Sequence, residues 1–221
     1  INTIVDGGHY VYGTGGIHMS IEGQIVRDDE NWKIIDADVT SMYPSISIAN
    51  NVYPEHLGLT FCKVYKDLCN ERKKYPKGSG PNGAIKLALN SVYGKSNSEF
   101  SPLYDPKYTL TITVNGQLSL SMLAEKFLDI GCKIIQCNTY GVTALVPRDK
   151  EAEYYAITKS WEDKVGLQLE YAVYKMMALA DVNNYIAVYE DGKVKSKGRY
   201  EVAHFEKLGW SKNHSAMIVS I

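Results

Sequence analysis

Residues 34–45 read Ile-Ile-Asp-Ala-Asp-Val-Thr-Ser-Met-Tyr-Pro-Ser, and this stretch sets the interpretation of the whole chain. Its two isoleucines begin an apolar run that is typical of a buried strand. Asp36 and Asp38 follow two residues apart, so on a strand they project from the same face. Pro44 lacks a backbone N–H and suits the first turn of a helix. We therefore predict a strand that turns sharply into a helix, where a carboxylate can hold a hard divalent cation. Two solvated acids at an exposed strand end are the competing interpretation.

The composition is that of an ordinary soluble globular protein, with 45% hydrophobic and 22% charged residues and a net charge of −1 over 221 residues. One or two domains are expected from this length. No apolar run approaches the roughly 18 residues that span a bilayer, so we expect no membrane segment. Four cysteines without a C-x-x-C pair argue against a zinc site or a disulfide framework and favour a reducing cytoplasm, that of a host cell if the protein is viral. The chain begins with Ile1 and has no basic n-region, which predicts a piece of a longer polypeptide without a signal peptide.

The segment from Asp38 to Ser45 resembles the first catalytic motif of family B DNA polymerases, D-x-x-S-L-Y-P-S, with Met42 in place of the usual Leu. The resemblance implies that Asp38 binds both catalytic Mg²⁺ ions, with Val39 beside it as the second metal-binding position. It also implies that Tyr43 lies under the deoxyribose and excludes a 2′-hydroxyl group. The positions that would cup the incoming triphosphate, largely through backbone N–H groups, are Val39, Thr40, Ser41, Met42 and Tyr43.

Residues 61–77 are predicted to form a helix, because apolar residues recur there at helical spacing. Its polar face carries six basic and two acidic side chains, a local charge of +4 that is typical of a solvated face. A loop dense in turn residues follows at 78–83, and a second helix is predicted to begin near Ala84. The pair would make a helical hairpin.

The second of these helices carries polar side chains on one face, since Lys86, Asn90 and Tyr93 are spaced by four and three residues. A Lys and an Asn one turn apart can clamp a triphosphate, although a plain amphipathic surface helix would have the same pattern. The segment resembles the family B fingers motif K-x3-N-S-x-Y-G. That resemblance implies that Lys86 contacts the triphosphate and acts in catalysis. It also implies that Asn90 binds the triphosphate. Tyr93 and Gly94 would lie against the nascent base pair, and Arg72 resembles the fingers Arg that grips phosphate.

Between the helical hairpin and the tail, the pattern predicts an extended segment at 108–114, a helix at 115–130, and a β-hairpin. The hairpin has strands at 132–137 and 142–146 and a turn at 138–141. Together with the first strand this order is the βαββ arrangement of a polymerase palm.

The turn of that hairpin departs from the resemblance at Tyr140. Family B polymerases usually have Y-G-D-T-D-S here, and phage relatives often have N-T-D-G, whereas this chain has Asn138-Thr139-Tyr140-Gly141. The second essential Asp is therefore replaced by Tyr140. A phenol with a pKa near ~10 is neutral at pH 7, so we expect weak metal binding and a large loss of rate. Asp36 is a possible partial substitute.

Two further segments resemble nucleic-acid contacts of the family. A Gly-rich turn near the start is typical of a tight turn entering a strand, and it also resembles a family turn that touches the template, with Tyr12, Gly15 and Gly16 as candidates. A hairpin is predicted at 181–202, and its return strand would present Lys193, Lys195, Lys197 and Arg199 as one basic stripe. A solvated edge is the alternative. The resemblance implies primer contacts at Lys195, Lys197, Gly198 and Tyr200.

We therefore predict an α+β fold, the palm and fingers of a phage-type family B DNA polymerase, with residues 1–60 as the turn region and first palm strand. Residues 61–100 would be the fingers hairpin, and 101–221 the rest of the palm. The expected ligands are primer–template DNA, dNTP and Mg²⁺, and the exonuclease and thumb would lie outside this chain. Two alternatives remain: an inactive palm that binds primer–template or another polymerase fragment, and a palm-type nucleotidyltransferase acting on RNA.

Overall fold

A computed structural model describes residues 1–201 of the chain. Within that part the order of elements mixes helices with antiparallel strands, which is the α+β class predicted from the sequence. The five helices are α1 (Met42–Ala49), α2 (Thr60–Lys73), α3 (Gly80–Ser96), α4 (Pro106–Asp129) and α5 (Glu151–Val165). The ten strands are β1 (Asn2–Val5), β2 (Gly8–Gly13), β3 (Gly16–Ser20), β4 (Gln24–Arg27), β5 (Trp32–Val39), β6 (Lys133–Asn138), β7 (Gly141–Pro147), β8 (Leu169–Leu179), β9 (Tyr185–Tyr189) and β10 (Val194–Ser196).

The strands join in one antiparallel sheet with the order β1-β2-β3-β6-β7-β5-β8-β9-β10, and β4 pairs with β8 outside this path. β5 lies in the interior of the sheet, between β7 and β8. Its alternate residues therefore point to two different environments. Ile35 and Ala37 face the helices, while Ile34, Asp36 and Asp38 face the other side.

The larger core lies between the sheet and α1, α4 and α5. Phe127 of α4 stacks on Tyr154 of α5 with ring centroids 4.3 Å apart, and both side chains are fully buried. Trp161 of α5 donates a hydrogen bond from its indole N–H to the Ser119 carbonyl oxygen at 2.7 Å. This layer fixes one face of the sheet and leaves the Asp38 face for the candidate site.

α2 and α3 form the predicted helical hairpin, and α2 also packs against α1. Tyr65 is the buried anchor of α2, and its hydroxyl group donates to the Leu89 carbonyl oxygen of α3 at 2.6 Å. Asn82 ties the loop end of the hairpin together, since its amide donates to the carbonyl oxygens of Arg72 and Tyr75. These contacts hold the two helices as one unit beside the sheet.

The prediction of an extended segment at 108–114 is wrong, because these residues belong to α4. The Asp105 carboxylate caps the helix by accepting from the Tyr108 backbone N–H, and Pro106 occupies the first helical position. The threonines that suggested a strand donate to carbonyl oxygens one turn earlier, as Thr113 does to Thr109 at 3.0 Å. Burial of Ile112 on the helix face decides the outcome over local β propensity.

The predicted basic return strand at 193–202 is also wrong in its extent. β10 covers only Val194–Ser196, and a three-residue 3₁₀ turn follows at Gly198–Tyr200. Gly198 has φ 61°, a conformation that ends an extended strand. The predicted tail region from 202 onward lies outside the described residues.

Candidate active site

The structure brings Asp38 and the turn at 138–141 together. Asp38 lies opposite Gly141 of β7 and opposite Glu170 of β8, so it stands near the end of an interior strand. The Val39 backbone N–H donates to the Tyr140 carbonyl oxygen at 2.8 Å, which ties the strand end to the turn. Two segments about a hundred residues apart in sequence thus meet at one point.

The Asp38 carboxylate lies in an environment that is unfavourable for its ionised form. Its Oδ1 atom is buried and has no hydrogen-bond partner among residues 1–201. Burial, and after it the neighbouring Asp36 charge, raise its pKa to about 6, while Lys195 and Lys197 act in the opposite direction. A buried acceptor without a donor is a position at which a cation would be stabilised.

In the turn at 138–141, the Asn138 side chain is hydrogen-bonded to the backbone of the turn itself. The Asn138 Oδ1 atom accepts hydrogen bonds from the backbone N–H groups of Tyr140 at 2.9 Å and Gly141 at 3.1 Å. The Tyr140 side chain is 47% exposed, and its ring meets the Tyr43 ring edge to face at 5.5 Å between centroids. The turn therefore presents an aromatic ring, not a charged oxygen, toward the strand end.

The residues that follow Asp38 form a tight turn into α1. Ser41 has φ 49° and ψ 53°, the left-handed conformation, directly before the helix. The Ser45 hydroxyl group donates to the Thr40 carbonyl oxygen at 2.8 Å. Val39 and Met42 bury their side chains in the core, so only their backbone atoms are left for a ligand.

Arg72 connects the helical hairpin to this turn. Its Nη1 atom donates to the Ser41 hydroxyl oxygen at 2.9 Å, and its Nε atom donates to Asn82 Oδ1 at 3.3 Å. Lys74 instead pairs with Glu71 of its own helix at 2.6 Å. Of these two cations, Arg72 is the one that reaches the Asp38 motif.

α3 faces the same turn with an aromatic side chain. Tyr93 stacks on Tyr43 with ring centroids 3.8 Å apart and an interplanar angle of 12°. The Tyr93 hydroxyl group shares a hydrogen bond with the Thr113 hydroxyl group of α4 at 2.7 Å. Lys86 and Asn90 lie exposed on the preceding turns of α3, and Gly94 opens onto empty space.

The Gly-rich turn between β2 and β3 lies beside these residues. Gln117 of α4 donates to the carbonyl oxygens of Gly13 at 2.6 Å and Gly16 at 2.8 Å. A Cβ atom at Gly16 would collide with the Thr139 side chain of the other turn. The Tyr12 hydroxyl group is engaged with Ser121 of α4 at 2.9 Å, while Gly15 is exposed. The roles of Gln117, Thr113 and Thr139 as supports were missed by sequence reasoning, because nothing local distinguishes them.

Comparison with known proteins identifies the relatives of the chain, although no family model matches it. It is 32% identical to DNA polymerase 1 of Sulfurisphaera ohwakuensis over 117 residues, which cover 52% of the chain and 13% of that protein. It is 25% identical to DNA polymerase 1 of Pyrococcus abyssi over an alignment of 227 positions, which covers 82% of the chain and 29% of that protein.

Its sequence relatives are archaeal DNA polymerases. The fold agrees: the structure of the family B DNA polymerase from the archaeon Pyrobaculum calidifontis matches with a TM-score of 0.59 and 16% identity, covering 90% of the chain and 32% of that structure. The chain thus spans less than a third of the length of these polymerases.

Polymerases of this kind imply a site for two divalent cations, and the residues present do not fit one. Such a site needs anionic oxygens around two ions about 4 Å apart. The buried, unpartnered Asp38 oxygen suits a cation, but the Val39 side chain is buried in the core, and Tyr140 and Asn138 bring no charge to the turn. Within residues 1–201, no group of three or more His, Cys, Asp or Glu side chains is arranged to hold a metal ion.

Asp36 does not offer a second free carboxylate beside Asp38, because its two oxygens already accept hydrogen bonds. Oδ1 accepts from the Thr143 hydroxyl group at 2.8 Å, and Oδ2 accepts from the Tyr174 hydroxyl group at 3.0 Å. Lys195 donates to the Tyr174 hydroxyl oxygen at 3.0 Å and lies 3.6 Å from the Asp36 carboxylate. Asp36 is 5% exposed and its charge is neutralised by this network.

Glu170 is the other acid on this face that sequence reasoning missed. It lies opposite Asp38 on β8, and its carboxylate accepts from Lys77 at 2.8 Å. Lys77 belongs to the loop between α2 and α3, so this exposed ion pair joins the helical hairpin to the sheet. Only the pairing of β8 with β5 shows that Glu170 belongs near the site.

The predicted basic stripe is not a stripe of free cations. Each of its members lies within 4 Å of a carboxylate, and they point in different directions because the strand ends after Ser196. The pairs are Lys193 with Asp191, Lys195 with Asp36, Lys197 with Glu201, and Arg199 with Asp181. Tyr200, the remaining primer candidate, is 38% exposed in the 3₁₀ turn that begins at Gly198.

The described residues contain no helix that is both long and apolar enough to cross a membrane.

Proposed function

We propose that the chain is the palm and fingers portion of a phage-type family B DNA polymerase, with a severely impaired catalytic centre. In this assignment residues 61–100 are the fingers, and 1–60 and 101–221 belong to the palm. The phage-type branch is supported by the Asn-Thr-x-Gly turn at 138–141 and by Lys197-Gly198 after an Asn-Asn-Tyr segment. The reaction would take place in a cytoplasm, that of a bacterial host if the protein comes from a bacteriophage.

The observation that carries the proposal is the meeting of three distant motifs. Asp38 of the first motif faces the hairpin turn through Gly141, while Tyr43 of the same motif stacks on Tyr93 of the fingers helix. Arg72 reaches the same turn through Ser41. A chance likeness of sequence motifs would not bring these residues together in the fold.

The side chains around this point suit an incoming dNTP. Arg72, Lys86 and Asn90 are donors that can bind a triphosphate, and Arg and Lys supply the charge for it. Of these three residues, Arg72 contacts the segment from Val39 to Met42, through the Ser41 hydroxyl group. Tyr43 and Tyr93 offer rings against the sugar and the base, and Gly94 leaves space for the nascent pair.

Primer–template DNA would lie on the Asp38 face of the sheet. Tyr12, Gly15 and Gly16 are the proposed template contacts, and Lys195, Lys197, Gly198 and Tyr200 the proposed primer contacts. Phosphate contacts of this kind fix the register of DNA without reading its sequence, and they weaken as salt rises. Partners for the full reaction, an exonuclease and a thumb, would come from polypeptide outside residues 1–221.

The proposed catalytic centre is where this chain differs from the polymerases that it resembles. Asp38 is the residue of this chain that would hold a Mg²⁺ ion, which when bound would supply Lewis-acid and charge stabilisation for nucleotidyl transfer. With Tyr140 at the second carboxylate position, a loss on the order of 3–5 kcal/mol in the barrier, or roughly 10²–10⁴-fold in rate, is expected. A palm that binds primer–template without turnover is the second candidate function. It is favoured by Asn138, whose side-chain oxygen is spent on the turn.

Primer extension with the Tyr140→Asp variant tests the proposal. We expect the variant to extend a primer at least a hundredfold faster than the unaltered chain, and to incorporate dNTP in preference to NTP. Asp38→Asn combined with Tyr140→Asp is the control and should abolish the gain. A Tyr140→Asp variant that is no faster would favour the non-catalytic function. Preference for NTP would instead support a palm acting on RNA. Failure of the chain to bind primer–template at any salt concentration would refute both DNA assignments.

A further inference from the structure

Three tyrosine rings form a continuous aromatic cluster at the strand end. Tyr93 stacks on Tyr43 at 3.8 Å, and Tyr140 meets Tyr43 edge to face at 5.5 Å. Tyr43 and Tyr93 are half-buried, whereas 47% of Tyr140 is exposed. Tyr140 is therefore the part of the cluster that a ligand from solvent meets first.

The position of Tyr140 is fixed by its backbone. Its N–H group donates to Asn138 and its carbonyl oxygen accepts from the Val39 N–H group, so both ends of the residue are held. Gly141 follows immediately and lies against the Asp38 carboxylate. A ring that is held at the backbone and supported on one edge loses little freedom when a second ring stacks on it.

Most of the negative charge on the Asp38 face near the cluster is already compensated by lysine side chains. Three carboxylates lie on this face, and two of them are already compensated: Asp36 by Lys195 at 3.6 Å and Glu170 by Lys77 at 2.8 Å. Lys86 is exposed on the helix that carries Tyr93 and has no ion-pair partner within residues 1–201. Repulsion between this face and a phosphate backbone is thus already reduced without a divalent cation.

We propose that Tyr140 is a stacking surface for a nucleobase, and that it lets the site bind DNA or dNTP without a divalent cation. The inference rests on the proposed function, because it assumes that the base approaches the Asp38 face. Tyr140, which stands where a metal-binding Asp is expected, would then bind a ligand through its ring. Base–aromatic stacking of this kind tolerates any base sequence. Removing the aromatic ring weakens binding on the order of tenfold.

The test is binding measured in EDTA, with a fluorescent primer–template followed by anisotropy and dTTP followed by calorimetry. Tyr140→Phe keeps the ring and should bind within about twofold of the unaltered chain. Tyr140→Leu keeps apolar bulk without the ring and should weaken binding at least fivefold. Tyr140→Asp should weaken binding in EDTA and make it dependent on Mg²⁺. Because the side chain is half exposed, these variants should melt within a few degrees of the unaltered chain.

Tyr171→Leu is the matched control. Tyr171 is 40% exposed and also meets another tyrosine, Tyr155, edge to face at 5.3 Å. It lies opposite Ala37 and so projects from the helix-bearing face of the sheet, away from Asp38. Its loss should leave the binding of DNA and of dTTP unchanged.

The outcomes separate this inference from the function on which it rests. Weaker primer–template binding by Tyr140→Leu places the base in DNA, and weaker dTTP binding places it in the incoming nucleotide; either supports the inference. Equal binding by Tyr140→Leu and the unaltered chain overturns it, as does binding that requires Mg²⁺. In both of these cases the proposed function stands. Absence of binding by every form, with or without Mg²⁺, overturns both.

Discussion

Gly141 lies directly against the carboxylate of Asp38, across the pairing of β5 with β7. A Cβ atom at position 141 would meet the Asp38 Oδ1 atom and the backbone of the same strand. The absence of a side chain at one residue is thus what gives the other its place. In this turn the glycine is required by a close approach and not by a left-handed backbone, since its φ is not positive.

Gly141→Ala is therefore expected to lower the free energy of unfolding by about 1–3 kcal/mol, because the added methyl group forces the two strands apart. Chemical denaturation followed by circular dichroism measures this. Gly15→Ala is the control, since nothing lies within 4 Å of a Cβ atom there. It should change stability by less than about 0.5 kcal/mol. Equal effects at the two positions would contradict the packing described.

Asp38→Asn should raise stability at neutral pH in EDTA. Burial is the chief reason that the pKa of Asp38 is raised to about 6 in the folded chain, above the ordinary value for an aspartate. The folded state therefore prefers the protonated acid, and this stabilisation is complete below about pH 4 and lost as pH rises through about 6. We expect the Asn variant to be about 1–2 kcal/mol more stable at pH 8, with the difference vanishing near pH 4.

Thermal melts between pH 4 and pH 8 give this comparison. Asp67→Asn, at an exposed position on α2, is the control and should leave the pH dependence as it is in the unaltered chain. A stability difference for Asp38→Asn that is the same at all pH values would show that burial does not penalise the Asp38 charge.

Lys195→Met should destabilise the chain by about 2–4 kcal/mol, because it leaves the buried Asp36 carboxylate without its cation. The double variant Asp36→Asn with Lys195→Met removes both charges and should recover most of the loss. Lys193→Met is the matched control, since its ion pair with Asp191 is exposed to solvent and should contribute little to stability. Additive losses in the double variant would refute the coupling between Asp36 and Lys195.

Asp105→Ala should cost about 1–2 kcal/mol, since the carboxylate caps α4 through the Tyr108 N–H group and also accepts from the Glu55 N–H group at 2.9 Å. Denaturation in urea measures the loss. Asp129→Ala, at the exposed far end of the same helix, should be nearly neutral. A neutral Asp105→Ala would mean that burial alone holds the 106–114 segment in a helix.

Several elements could be read from local pattern because their physics is local. The apolar run at Ile34 and Ile35 predicts a buried strand, and Pro44 predicts the first turn of α1, each from local sequence alone. The segment at 108–114 failed because alternating threonines favour a strand locally, while Ile112 gains more by burial against the sheet. A preference worth a few tenths of a kcal/mol per residue is readily overridden by burial worth about 1.5–3 kcal/mol for one large side chain.

The sequence by itself determined the α+β fold and the position of Asp38 at a strand end, and it predicted that Tyr140 stands where a second acid is expected. It could not distinguish Asp36 from Asp38, since two residues on one strand face have the same local pattern. Only the tertiary structure decided that Asp36 is held by Thr143, Tyr174 and Lys195 while an Asp38 oxygen stays unpartnered. The reason is physical: whether a carboxylate is free to bind a ligand depends on donors that come from other strands.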